Sequence, residues 1–229
     1  MNRVLYSLCG SNPARPFSPH CWKVVMALEH KGLAFEEMPR AFTAIPEIEG
    51  GATATVPLLN DNGRLVKDSF DIALYLDETY PDRPTLFGGE GGKAMARFVE
   101  SYSLTVLHSA ITRIAVKNIH DIIDHDDQVY FRKSREARLG MPLEEVAAAR
   151  DEEISAFPAK LQPLRQMLKV QPFIGGDGPL FADYIVFGAL QWLRITSGST
   201  HLEADDPVSL WFERCLDLHQ GRGRSVTAA

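Results

Sequence analysis

Three cysteines in 229 residues, Cys9, Cys21 and Cys215, are too few and too scattered for a disulfide framework. They form no Cys-x-x-Cys pair and match no zinc-ligand spacing, so they read as free thiols and no metal is expected. Positive charge is also short. The 24 Lys and Arg are outnumbered by 30 Asp and Glu, and the net charge of −6 excludes a broad nucleic-acid face. A local basic pocket inside that acidic envelope stays open. Long apolar runs are missing too. The richest, YIVFGALQWL from Tyr184 to Leu193, is too short to span a bilayer and carries Gln191. The opening MNRVLYSLCGSN lacks the apolar core of a secretion signal and reads as a strand. A cytoplasmic protein with neither nucleic-acid nor membrane partners is expected. What remains is ordinary globular composition, 45% hydrophobic, 24% charged and 9% aromatic, which excludes disordered, collagen-like and coiled-coil chains. The length suits one large domain or two smaller ones with separate cores.

Hydrophobic period changes once along the chain. RVLYSL reads as a strand, followed by a loop and then a helix from about Pro19 to His30, with an apolar stripe of Trp22, Val25, Met26 and Leu28. Gly32 ends it. LAFEEMP is a second strand, and Arg40 to Thr55 is irregular. VPLLND and RLVKD are short strands joined through Asn62-Gly63, a strong hairpin signal. SFDIALYLDETY is then a helix. A crossover between the first two strands implies a parallel pair, to which the hairpin adds an antiparallel edge. From Lys93 onward the segments read as helix. The expected fold is an α/β N-terminal domain over residues 1–84, a glycine-rich linker over 85–92 and an all-α domain over 93–229. The tail HQGRGRSVTAA reads as frayed.

Three short stretches carry chemistry. In RPFSPHCWKVVMALEHKG, Pro19 suits the first helical position and Ser18 the N-cap. Ordinary capping is one reading. The other places an anion, ideally a thiolate, at the positive helix end, where the hydroxyl donates to sulfur and lowers the thiol pKa. In TVPLL, a proline inside a strand-like run fits either an edge position or a cis Val56-Pro57 bond. The second would free the Val56 backbone to pair with an extended peptide. In KDSFD, Asp68 and Ser69 stand at a helix start, as caps or as a grip on an amino-acid head group.

The order of these stretches, followed by an all-helical domain, resembles the soluble glutathione transferases along essentially the whole chain. The resemblance implies a thioredoxin-like domain that binds glutathione as cosubstrate and a helical domain that shapes the second pocket. It implies that Val56-Pro57 pairs with the cysteinyl backbone through a cis-proline turn. Asp68 and Ser69 would bind the γ-glutamyl end, and Ser18 falls where serine-type members keep their activating hydroxyl. A homodimer and a role in detoxification are implied in the same way. For the glycyl carboxylate, Arg15, Arg40 and Lys67 are the cationic candidates. Phe17, His20, Phe42, Tyr102, His108, Ile111 and Thr112 are the candidate lining of the electrophile pocket.

YFRKSRE, SPHCWKVVMALEHKG and AFTAIPEI look more specifically like the bacterial β-aryl etherases and their fungal-type relatives, which cleave an aryl ether with glutathione. One departure lies at GPLFADY, where Leu180 stands in place of the Ser or Thr that usually opens the buried helix before Asp183. Half of a capping box is lost there, at about 1 kcal/mol. The acids and histidines from His120 to Asp127 match no metal loop. The leading function is attack of a glutathione thiolate on a hydrophobic electrophile, with aryl ether cleavage as one form. The alternatives are a glutathione-binding protein without catalysis, a thiol-disulfide reductase acting through Cys21, and an isomerase.

Overall fold

The computed structural model describes residues 3–228. Strand β1 (Arg3–Leu8) runs parallel to β2 (Glu36–Arg40) and antiparallel to β3 (Leu58–Asp61), which turns back into β4 (Arg64–Lys67). The sheet order is β2-β1-β3-β4. Asn62 and Gly63 close the hairpin with φ of 53° and 95°, a left-handed pair that asparagine and glycine accept most readily. Helix α1 (Pro19–His30) crosses between β1 and β2, and α2 (Ser69–Thr79) follows β4.

The remaining elements are helical. They are α3 (Glu90–Tyr102), a wider turn over Ser103–Leu107, α4 (His108–Asp121), α5 (His125–Leu139), α6 (Leu143–Ala148), α7 (Arg150–Lys160), α8 (Gln162–Leu168), α9 (Phe181–Ser197) and α10 (Pro207–Gly221). The fold is therefore a mixed α/β unit followed by a helical one, as the periodicity implied. Helix α3 begins inside the glycine-rich stretch, three residues before the expected Lys93. The stretch LEEVAAARDEEISAFPAKLQPLRQMLK is divided into three helices, the last restarting at Gln162 with Pro163 in its first turn, where proline is tolerated.

Helix α1 differs from the amphipathic reading. Every residue from Cys21 to Leu28 is buried, because α9 covers the face that a two-layer domain would leave in water. Trp22 accordingly anchors α1 to the helical domain rather than to the sheet. Its ring meets Phe187 of α9 edge-on, and its Nε1 donates to the Pro16 carbonyl at 3.0 Å. Gly188 permits this approach, since a Cβ there would lie 2.4 Å from the Pro19 carbonyl oxygen. Lys23, also in the contact, is fully buried and reaches both carboxylate oxygens of Glu100 on α3 at 2.9 and 3.0 Å.

The Leu180 departure is compensated. Asp183 is fully buried and accepts from the backbone N–H groups of Ile174, Gly175 and Leu180, at 2.7, 2.8 and 3.0 Å, and from Trp211 Nε1 at 2.9 Å. Burial raises its carboxyl pKa while these donors favour the charged form. The C-terminal tail is not frayed as its composition implied. Gln191 donates to the Gly223 carbonyl, Arg194 to that of Val226, and Arg222 pairs with Glu29 and Glu37. Side chains of the core and of the sheet domain hold it down, which tail composition does not reveal. Among the described residues no helix is long and apolar enough to cross a membrane.

Candidate active site

Local structure fixes three groups on the sheet domain. Ser18 is the N-cap of α1, with Oγ accepting from the Cys21 N–H at 3.4 Å. The Val56-Pro57 bond is cis, and among the described residues the Val56 backbone makes no hydrogen bond. Asp68 is the N-cap of α2 at φ 64°, a conformation unusual for a side chain larger than glycine and often found at functional positions. Its Oδ1 accepts from the N–H groups of Phe70 and Asp71 at 2.8 and 3.2 Å, while Oδ2 has no hydrogen-bond partner among the described residues.

These groups border one cleft of ≈ 810 Å³ between the sheet domain and helices α4, α5 and α9. Ser18, Val56, Pro57, Lys67, Asp68 and Ser69 line it on the sheet side. Phe17, His20, Phe42, His108 and Thr112 line it as well. Four expected residues lie elsewhere. Arg40 is outside the lining, with its guanidinium over the Tyr6 ring, 5.9 Å from the centroid. Tyr102 turns inward among the helices and donates to the Lys160 carbonyl. Ile111 is fully buried in the helical core and does not line the cleft. Arg15 is outside as well, donating to the Ile195 carbonyl at 2.8 Å. Of the cations considered for the glycyl carboxylate, Lys67 borders the cleft.

The histidines in the cleft are neutral. Burial, with the charge of Lys23 adding to it, pushes His20 down to about 3. Burial and the positive groups nearby hold His108 well below its ordinary value. Their rings are 5.2 Å apart, and His108 also packs on Trp192 at 5.5 Å. The buried Nε2 of His108 has no hydrogen-bond partner among the described residues. Cys21 lies behind Ser18, fully buried, where desolvation raises its thiol to about 12 and the Ser18 hydroxyl offsets only part. A thiol so placed is not a nucleophile.

Sequence reasoning missed the far wall. Tyr130, Phe131, Arg135 and Arg138 come from α5, Arg113 from α4 and Trp192 from α9. Phe131, Arg135 and Arg138 recur at helical spacing, and that stripe was the available signal. Asp127, once weighed in an acidic metal cluster, instead ties α5 to the sheet domain. It is buried and accepts from the N–H groups of Phe42 and Thr43, each at 2.8 Å. Among the described residues no group of three His, Cys, Asp or Glu side chains is arranged for a metal. A second cleft of ≈ 710 Å³ between β2 and the tail contains Glu29, Glu37 and the paired Arg222, and none of the candidate site residues.

Residues 94–217 match the family model of the glutathione S-transferase C-terminal domain, and residues 13–84 match an N-terminal domain model of the same family. A glutathione S-transferase-like protein of Aspergillus flavus, ustS, is 25% identical, with 78% of this chain and 75% of the relative aligned. A probable glutathione S-transferase of rice, GSTU6, is 27% identical over 90% of this chain and 84% of its own. Among solved structures, glutathione transferase GSTFuA3 of Phanerochaete chrysosporium superposes with a TM-score of 0.76 at 24% identity, covering 100% of this chain and 98% of its own. CsGST83044 of Ceriporiopsis subvermispora, solved in complex with glutathione, gives 0.81 at 19% identity, covering 96% and 98%. The sheet domain with its cis-proline, the helical domain over it and the match across both halves together make this chain a member of the glutathione S-transferase family.

Proposed function

We propose that the protein is a serine-type glutathione transferase that uses the cleft to bring a glutathione thiolate against a hydrophobic electrophile. The observation that carries this reading is the convergence of Ser18, cis Val56-Pro57 and Asp68-Ser69 on one cleft. In this reading the Val56 backbone pairs with the cysteinyl unit, Asp68 and Ser69 take the γ-glutamyl ammonium and carboxylate, and Lys67 takes the glycyl carboxylate. The sulfur then rests at the start of α1. There the Ser18 hydroxyl and the helix N-terminus favour the anion, and the thiol proton leaves to solvent.

The thiolate attacks an electrophilic carbon. A sulfur–carbon bond forms, and the leaving group departs with its bonding pair. Phe17, Phe42, Tyr130, Phe131 and Trp192 offer an aryl group a largely apolar seat, which favours aryl substrates, aryl ethers that release a phenolate among them. Buried and unionised, Cys21 speaks against the reductase alternative. The reading extends to a homodimer acting in detoxification in the cytoplasm, with residues 1–84 and 93–229 as the two functional units.

The test is a crystal grown with reduced glutathione. The sulfur is expected within hydrogen-bond distance of Ser18 Oγ, with the tripeptide along Val56. A tripeptide lying elsewhere, or a sulfur directed away from α1, overturns the assignment.

A further inference from the structure

The cleft contains more positive charge than the proposed chemistry uses. Lys67, Arg113, Arg135 and Arg138 line it, against one acid, Asp68. The excess is local, since the whole chain carries a net −6. Helix α5 makes the contrast plain. Arg132, outside the lining, is paired with Glu136 and Glu144, each at 2.8 Å. Arg135 and Arg138, on the lining stripe, form no ion pair among the described residues, and neither does Arg113.

Arg135 is the most telling of them. Its guanidinium carbon lies 4.6 Å from the Phe131 ring centroid and 5.3 Å from that of Phe42. Its hydrogen bond is to a neutral group, with Nη1 donating to Ser134 Oγ at 2.9 Å. Burial, with the charge of Arg138 adding to it, lowers Arg135 to about 10. A half-buried guanidinium over two rings, with no carboxylate beside it, lacks the counter-ion that would offset its desolvation. His108 adds an unused polar atom, Nε2, on the same side of the cleft.

Glutathione brings one carboxylate that could serve, at its glycyl end. Lys67 borders the cleft next to Asp68 and Ser69, on the sheet side, whereas the arginines rise from the helical wall. We infer that the helical wall selects an aromatic electrophile bearing a carboxylate, its ring seated among Phe131, Tyr130 and Trp192 and its anionic group held by Arg135 with Arg138. This substrate class rests on the transferase reading given above.

The experiment compares 4-chloro-3-nitrobenzoate with its uncharged methyl ester on the full-length protein. In the reaction the glutathione sulfur bonds to the ring carbon and chloride leaves with the bonding pair. Calorimetric binding is measured in parallel, with S-methylglutathione filling the glutathione half. Wild type is expected to bind the carboxylate about tenfold more tightly than the ester, the effect of one charge-assisted contact. Arg135→Gln and, separately, the exposed Arg138→Gln are expected to remove that preference. The KM for glutathione stays within about twofold in both variants, as for a contact confined to the other substrate, while the Kd and KM for the acid rise toward those of the ester. Equal binding of acid and ester by wild type overturns the inference. A rise in the KM for glutathione in either variant overturns it too, since the arginines would then hold the glycyl carboxylate. A binding preference without turnover of either compound overturns the transferase reading and leaves the anion-selective wall standing.

Discussion

The wall of the cleft that holds Ser18, Val56 and Asp68 is drawn from the first part of the chain, residues 8–69, and consists of element ends and loops. A helix cap, a cis-proline turn and a second cap each place a polar group by local backbone geometry. The wall facing it is drawn from the sides of α4, α5 and α9, where helix faces converge from distant parts of the chain. The first wall is polar, with much of its binding capacity in backbone groups. The second is aromatic and cationic, with its capacity in side chains. A fixed cosubstrate suits the first construction, because backbone geometry changes little with sequence. A variable second substrate suits the other, because helix faces can be recut without disturbing the fold.

The two walls are coupled at Lys23–Glu100 and at Asp127, and breaking the first coupling has the largest expected effect. Glu100→Ala leaves the Lys23 ammonium fully buried without its carboxylate. Burial already lowers the Lys23 pKa, with Glu100 opposing the shift. Loss of one partner from a buried pair costs about 3–5 kcal/mol, read as a lower denaturant midpoint in chemical unfolding. Lys23→Met combined with Glu100→Ala is expected to recover much of that loss. If the single variant unfolds like wild type, the walls are held by other contacts.

Ser18→Ala tests the polar wall alone. Conjugation of 1-chloro-2,4-dinitrobenzene is expected to fall about 10²-fold, comparable to the loss of one donor aimed at a developing or resident anion. The pKa of bound glutathione, followed by thiolate absorbance, is expected to rise in the same variant. Unchanged turnover with an unchanged thiol pKa would reduce Ser18 to a helix cap.

A smaller effect, confined to acid, comes from His20, which sits where the walls meet. Its ordinary value is 6.5 and burial holds it near 3, so between those values the unfolded chain binds a proton that the folded chain does not. Stability contributed by this site is complete above pH 6.5 and is lost as the pH falls toward 3. His20→Gln is expected to flatten that part of the stability profile while leaving the neutral-pH value nearly unchanged. An unaltered acid limb would show that His20 is already protonated in the folded protein.

The same contrast explains what could be read from sequence. Pro19, Gly32, Asn62-Gly63 and the Asp68-Ser69 pair are signals spelled by adjacent residues, so the helix ends, the hairpin and the polar wall were legible. Periodicity reports one buried face per helix. It therefore identified Thr112 and His108 as lining but also drew in Ile111 and Tyr102, which point into the helical core. The ion pair of the buried Lys23 has no local signal, because its partner Glu100 lies on α3. The stripe of Phe131, Arg135 and Arg138 is a helix face that the sequence spells, but that it meets the cleft is set by how α5 packs. The tail failed for a related reason: its anchors, Gln191 and Glu37, belong to α9 and β2.

Cys21 supplies the smallest expected effect and separates conjugation from thiol exchange. It stands three residues after Ser18, where a dithiol reductase would keep its second sulfur. Yet the side chain is buried in the core, and its thiol is raised to about 12. Attack by such a sulfur would require both ionisation in an apolar setting and an opening of α1. Cys21→Ala is therefore expected to conjugate 1-chloro-2,4-dinitrobenzene within about twofold of wild type, with a stability loss limited to that of a small buried side chain. Glutathione-dependent reduction of a mixed disulfide is expected to be negligible in both proteins. Were wild type to reduce the disulfide and the variant to lose that activity alone, the chemistry of the polar wall would belong to the cysteine beneath it, and Ser18 would be its cap.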